Sequence, residues 1–239
     1  MKMKKLTSLC LAGSLLSASS FAMAWESGNH STSANVALTT DYMWRGYSQT
    51  DNEFSMQGGF DYAHSSGLYA GTWASNIDYA DDAPLEIDFY FGHAGETESG
   101  IGWDVGFLRY MYPGEEYDYD EVYAFLSYSY FNIGITHGYD VYSTSEQATY
   151  YSAGFDYELP MGLALSAGVG YYDYDEAYAE QTFGADAPNS TVDYRIGLSK
   201  EMAGFGFDLT YYDIDSDGEE MYGNTAADSR FVFTISKSM

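Results

Sequence analysis

Nine carboxylates and three arginines stand at one parity of the alternating segments of this 239-residue chain. The acids are Asp41, Asp61, Glu86, Asp88, Asp104, Glu121, Asp156, Asp193 and Asp208, and the bases are Arg45, Arg195 and Arg230. Carboxylates ringing a water-filled passage favour cations. The same residues could instead form an Asp–Arg network that packs a closed interior. Asp41, Met43 and Arg45, with Gln57 and Asp61, are candidates for a constriction near one mouth. The competing reading is a salt bridge that fixes strand register, since a buried pair can specify structure while adding little stability. The candidate lining is therefore Asp41, Arg45, Gln57, Asp61, Glu86, Asp88, Asp104, Asp156, Asp193, Arg195, Asp208 and Arg230.

Other chemistries have thinner support. Asp213-Ile214-Asp215-Ser216-Asp217-Gly218 matches the first half of an EF-hand loop, which makes Asp213, Asp215 and Asp217 weak metal candidates. The twelfth position, however, is Asn224 rather than a bidentate Glu, and no flanking helices are expected. Loose association of divalent cations with the acidic loops is the broader form of that idea. His93 and His137 have outward parity near strand ends, where a lipid-facing Ser–His pair could attack an ester. No nucleophile elbow surrounds them, and interfacial histidines are the plainer reading. His30 and His64 fall before the first strand and in a turn. The run Tyr171-Tyr172-Asp173-Tyr174-Asp175-Glu176-Ala177-Tyr178 could stack sugars, but an interfacial aromatic girdle accounts for it more simply. No phosphate-binding loop or zinc-ligand spacing appears, and no cofactor is expected.

The elements that carry these residues are strands. Apolar and polar residues alternate over about twelve segments, near 34–45, 54–63, 68–75, 85–93, 101–111, 121–129, 132–139, 148–157, 163–172, 191–199, 205–212 and 230–237. Short turns at 64–67, 96–100, 130–131, 158–162 and 200–204 alternate with longer loops at 46–53, 76–84, 112–120, 140–147, 173–190 and 213–229. That rhythm predicts an all-β fold, a transmembrane antiparallel barrel with short periplasmic turns and longer extracellular loops. Val36, Leu38, Thr40, Tyr42 and Trp44 share the expected lipid face of the first strand. Val192, Tyr194, Ile196 and Leu198 do so in a later one. The carboxylates avoid that face, as the cost of a charge in hydrocarbon requires. Arg109 has outward parity near a strand end, which suggests snorkelling to lipid phosphates or a bulge; Lys237 is similar near the opposite rim. Inward Gly59, Gly92, Gly102, Gly106, Gly134, Gly168 and Gly170 would keep space near the wall.

The remaining sequence places the barrel. Lys2, Lys4 and Lys5, an apolar run over 6–16 and Ala22-Met23-Ala24 form an export signal over 1–24, with a mature chain from Trp25. Residues 25–33 read as a periplasmic segment and 34–239 as the barrel. The one cysteine, Cys10, lies in the signal, so neither disulfides nor thiolate chemistry is expected. The formal net charge of −27 becomes −30 without the three signal lysines, which excludes nucleic acid and favours cations as partners. The 26 tyrosines suit aromatic girdles.

Thr39-Thr40-Asp41-Tyr42-Met43-Trp44-Arg45-Gly46-Tyr47-Ser48-Gln49-Thr50 resembles the opening motif of the TorF family of proteobacterial porins. Residues 57–62 and 67–76 extend the match, and Phe54 replaces an expected proline. The resemblance implies an outer-membrane barrel of a Gram-negative cell and supplies no substrate or catalytic residues. Taken together, the expected role is passive diffusion of small hydrophilic, cation-preferred solutes through a narrow acidic lumen. A closed barrel that adheres through its acidic loops is the alternative, and an outer-membrane lipid hydrolase a remote one. The expected partners are lipid, lipopolysaccharide and the barrel-assembly machinery; the oligomeric state is left open.

Overall fold

The computed structural model describes residues 25–239, so the export signal expected over 1–24 lies outside the described residues. Twelve antiparallel strands form the barrel: β1 (His30–Thr39), β2 (Ser55–His64), β3 (Leu68–Asn76), β4 (Leu85–Glu96), β5 (Ile101–Met111), β6 (Tyr119–Tyr128), β7 (Phe131–Gly138), β8 (Ala148–Leu159), β9 (Leu163–Tyr174), β10 (Ser190–Met202), β11 (Phe205–Ile214) and β12 (Arg230–Ser238). Each pairs with its neighbour in sequence, and β12 closes on β1. Closure removes the unpaired edges that an open sheet would present. The tight turns sit at one end. Ala203 (φ 54°) and Gly204 (φ 76°) join β10 to β11 with the positive φ pair that matches the twist of a hairpin.

Outward residues of each strand form an exposed apolar belt that includes Val36, Leu38, Phe60, Phe89, Phe91, Ile133, Val169, Ile196, Leu198 and Leu209. Such a belt with a polar interior is the pattern of a barrel that faces lipid. No helix among the described residues is long and apolar enough to cross a membrane.

Three departures from the sequence reading concern the ends of strands. The first strand begins at His30, not 34, so part of the expected periplasmic segment is barrel wall. His30–Ser33 pair with residues 61–64 of β2, while β12 and the following Met239 reach only as far as Ala34. The other edge of this extension is covered by a short strand, Trp25–Ser27, folded back on 30–32. Secondly, β6 begins at Tyr119, which puts Asp120 on the outward face at the rim, directly across from Arg109. Arg109 donates to Asp120 (3.0 Å) and Asp118 (3.4 Å), so neighbouring carboxylates meet its charge, with no bulge. Lys237 lies over the Phe205 ring (4.7 Å) and donates to the Gly204 carbonyl. Thirdly, β1 stops at Thr39, and the next ten residues enter the barrel.

The long loops fold over the other mouth. Two of them carry helices: α1 (Glu176–Phe183), then α2 (Ser216–Tyr222) and α3 (Asn224–Ala227). Asp175 caps α1 by accepting from the Ala177 amide, and Asp215 caps α2 by accepting from the Gly218 amide.

Candidate functional site: a hairpin docked in the barrel mouth

The segment after Thr39 turns inward as a miniature hairpin, Met43–Trp44 paired with Tyr47–Ser48. Tyr42 and Trp44 are each only 3% exposed. The expectation that both face lipid is therefore wrong. The alternation is real, but it belongs to a ribbon surrounded by wall, where both faces are buried. Asp41 anchors the root of the hairpin, accepting from Ser48 Oγ (2.6 Å), Thr50 Oγ1 (2.9 Å) and Arg230 Nη1 of β12 (2.8 Å). Tyr42 donates to Glu86 on β4 (2.7 Å). Tyr47 stacks on Tyr222 of α2, with centroids 3.7 Å apart.

The tip reaches across the barrel. Arg45 (φ 46°) and Gly46 (φ 93°) make the turn. A Cβ on Gly46 would come within 2.6 Å of Asp193 Cβ on β10, so close approach and backbone conformation both require glycine. One Arg45 nitrogen, Nη2, donates to both oxygens of Glu121 on β6 (2.8 and 2.9 Å). Its guanidinium carbon lies 4.1 Å from the Trp44 ring, 4.6 Å from Tyr150 and 4.4 Å from Tyr172. Desolvated cation–π contacts are worth about 2 kcal/mol each, so this cage is a principal anchor of the tip.

Around the hairpin lies a continuous aromatic cluster that includes Tyr110, Tyr112, Tyr119, Tyr172, Tyr174 and Tyr178. The girdle reading of the 171–178 run thus holds only for outward Tyr171. Tyr172, Tyr174 and Tyr178 are buried in the mouth and pack against one another and their neighbours.

The carboxylates expected to be inward are inside the barrel, and most have neutral partners. Tyr90 donates to Asp61, Tyr69 to Asp104 (2.6 Å) and Tyr150 to Asp193 (2.9 Å). Thr210 donates to Asp208 (2.7 Å) and Asn132 to Asp156 (3.0 Å). Asp88 and Glu86 are buried near the mouth, and Asp88 Oδ1 has no hydrogen-bond partner. Of the nine, only Asp41 and Glu121 pair with arginine in the structure. Direct pairing of these acids with arginine is thus confined to two, while Arg195 acts electrostatically on Asp156, Asp193 and Asp208. Arg195 lies over Gly168 of β9. Gln57 is buried, whereas Asp61 sits four residues deeper on β2, away from Asp41. The expected grouping of Asp41 with Asp61 does not form.

The inward glycines serve a different purpose from the one the sequence suggested. A Cβ on Gly92 would collide with Tyr69, on Gly106 with Tyr123, on Gly134 with Phe125 and on Gly170 with Tyr150. The first three of these are direct cross-strand pairs. Each ring lies over the bare backbone of the neighbouring strand, so the glycines seat aromatics against the wall and do not simply widen the lumen. The glycine count was legible in the sequence, but these pairings needed the register.

The remaining candidates do not assemble. His93 binds the Ser66 carbonyl at the tight-turn end, while His137 meets Thr149 at the loop end. Asp215 is committed to the Gly218 and Val192 amides. No group of three or more His, Cys, Asp or Glu among the described residues is placed to hold a metal ion.

The architecture is that of a porin-like twelve-stranded barrel. It is similar to the KdgM porin (TM-score 0.53, 6% identity, covering 86% of this chain and 97% of that one). The NanC porin matches with a TM-score of 0.55, 10% identity and the same coverage. The KdgM porin in complex with disordered oligogalacturonate matches with 0.54, 6% identity, 87% of this chain and 99% of that one. At such identities the likeness is one of fold. Residues 23–239 match the family described as a bacterial protein of unknown function (Gcw_chp), and the chain belongs to that family. No curated protein matches it.

Proposed function

We propose that this barrel is an outer-membrane channel of the porin type that passes small hydrophilic solutes and prefers cations, with the docked 43–48 hairpin as its constriction. The supporting observation is the chemistry of the interior: seven of the nine inward carboxylates lack an arginine partner in the structure. Tyrosine, threonine and asparagine donors hold six of these seven acids, Asp88 being the exception, and Arg195 acts electrostatically on Asp156, Asp193 and Asp208 alone. In a water-filled lumen with apolar walls, the charge of the acids raises the local cation concentration. Asp61, Asp104 and Asp208 carry the field, whereas Glu86 and Asp88 are buried in the packed mouth. Asp41 belongs instead to the hairpin anchor. The porin assignment implied by the TorF resemblance agrees with this reading.

Single-channel recording in planar bilayers under a salt gradient tests it. Discrete cation-selective steps are expected, and neutralising Asp61, Asp104 and Asp208 together lowers the cation preference. Unchanged selectivity in that folded multiple variant would refute the assignment. The closed-barrel reading draws on one observation, the aromatic cluster that surrounds the hairpin. Absence of conductance from protein folded by heat-modifiable gel mobility would favour it, and would direct attention to adhesion through the acidic loops.

A further inference from the structure

We propose that the cage of Glu121, Tyr150 and Tyr172 is a binding site for small organic cations bearing a guanidinium group, and that Arg45 is a built-in occupant which such a solute displaces. This rests on the channel reading and deepens it by naming a solute class.

Three members of the cage are fixed in the barrel wall. Glu121, Tyr150 and Tyr172 belong to β6, β8 and β9, so barrel hydrogen bonding holds them in place. Arg45 and Trp44 belong to the hairpin, which contributes no strand to the barrel. When the tip withdraws, the wall keeps two aromatic faces and a carboxylate, which is 2% exposed with the tip in place. Aromatic faces with an adjacent buried carboxylate recognise a weakly hydrated planar cation. An anion would meet Glu121 and Asp88 together, and a neutral solute would leave Glu121 unpaired.

A second observation points to a ligand. The fit of Arg45 is incomplete: its Nη1 is buried without a partner, as are the Tyr119 and Tyr172 hydroxyls and Asp88 Oδ1. Tyr119 is two residues from Glu121. Asp88 pairs in register with Tyr110, whose hydroxyl donates to Glu121 (3.1 Å). Of these, the Tyr119 and Tyr172 hydroxyls belong to residues beside a tethered guanidinium whose Nη1 reaches neither. Methylguanidinium carries the same five N–H donors as the arginine head group, but without a tether it can reorient to reach more of these acceptors. A lysine-like ammonium is a compact, strongly hydrated point charge and matches the flat rings less well.

The test compares methylguanidinium with ethylammonium, a similarly small organic cation lacking the planar fork. Each is added as its chloride to the barrel carrying potassium current in a planar bilayer. The concentration that halves the current is expected to be about tenfold lower for methylguanidinium, within the range that cation–π recognition supplies. The difference should vanish in Glu121→Gln and in Tyr172→Leu, with folding checked by heat-modifiable mobility. Equal block by the two cations in the wild type, or discrimination that survives in a folded variant, would overturn the proposal. If the folded barrel passes no current, the channel reading falls and the cage is judged separately by tryptophan fluorescence. A saturable change with methylguanidinium that is lost in Tyr172→Leu sustains the cage, and no change overturns it.

Discussion

Gly46→Ala is the sharpest probe of the docked hairpin. The residue sits at φ 93°, where an L side chain is disfavoured by about 1–2 kcal/mol. The added methyl would lie 2.6 Å from Asp193 Cβ and 3.2 Å from Ile214 Cβ and Cδ1. Those contacts come from strand β10 and the end of β11, which cannot easily give way, and overpacking of this kind costs about 1–3 kcal/mol. The combined penalty is about 2–5 kcal/mol, or roughly 30-fold to several-thousand-fold in the ratio of docked to undocked hairpin. It falls on docking alone, because Gly46 is in none of the barrel strands. Two readouts should move while heat-modifiable mobility stays as in the wild type. Trp44, now 3% exposed, becomes accessible to acrylamide quenching, and single-channel current rises. Tryptophan quenching and current both unchanged in a folded Gly46→Ala barrel would show that the tip is not held by this contact.

Other perturbations follow from the same geometry. Arg45→Ala strips Glu121 of its counter-charge, and removing one partner of a buried pair costs about 3–5 kcal/mol; adding Glu121→Gln should restore part of the lost protection of Trp44, and no restoration would argue against the pair. Gly106→Ala should lower the urea midpoint by displacing Tyr123, and the double variant with Tyr123→Ala should cost less than the sum of the two singles. Burial pushes the Tyr47 hydroxyl up from 10.0 to about 12. Because the folded value is the higher one, the stabilisation from neutral Tyr47 is complete below pH 10 and is lost as pH rises through about 12. Acrylamide quenching of Trp44 should therefore increase over that interval before the barrel itself unfolds, and a flat profile would contradict this.

The barrel was legible in the sequence because its determinant is local. A period-two alternation that sends Leu198 out and Gly197 in survives whatever the neighbouring strands do. Turn signals such as Ala203-Gly204 are equally local, and together they were enough for strand number and loop rhythm. The pairing of Tyr69 with Gly92, or of Tyr123 with Gly106, depends on register between strands, which the alternation within one strand does not specify. Arg109 and Asp120 show the same limit: two residues beyond the expected strand end decided how an outward arginine is satisfied.

The 40–45 segment was misplaced for a more instructive reason. Alternation shows that a ribbon has two faces, not that one of them meets lipid. Val36 and Leu38 do face outward, but Tyr42 and Trp44 continue their parity into the lumen, where walls lie on every side. A signal for this was present. Asp41, Arg45 and Gln49 recur four residues apart, so a membrane strand would carry them all inward in a single file. Arg45-Gly46 is also a poor strand interior, because glycine there costs entropy and packs nothing. Read as a turn, that dipeptide converts the single file into a hairpin with a charged tip, and a charged tip inside a barrel needs a carboxylate and aromatic faces to receive it. Glu121, Tyr150 and Tyr172 are those groups. The longest family-like motif in the chain therefore encodes the device that occupies the mouth rather than a stretch of its wall, and selectivity and conductance should be most sensitive to substitution there.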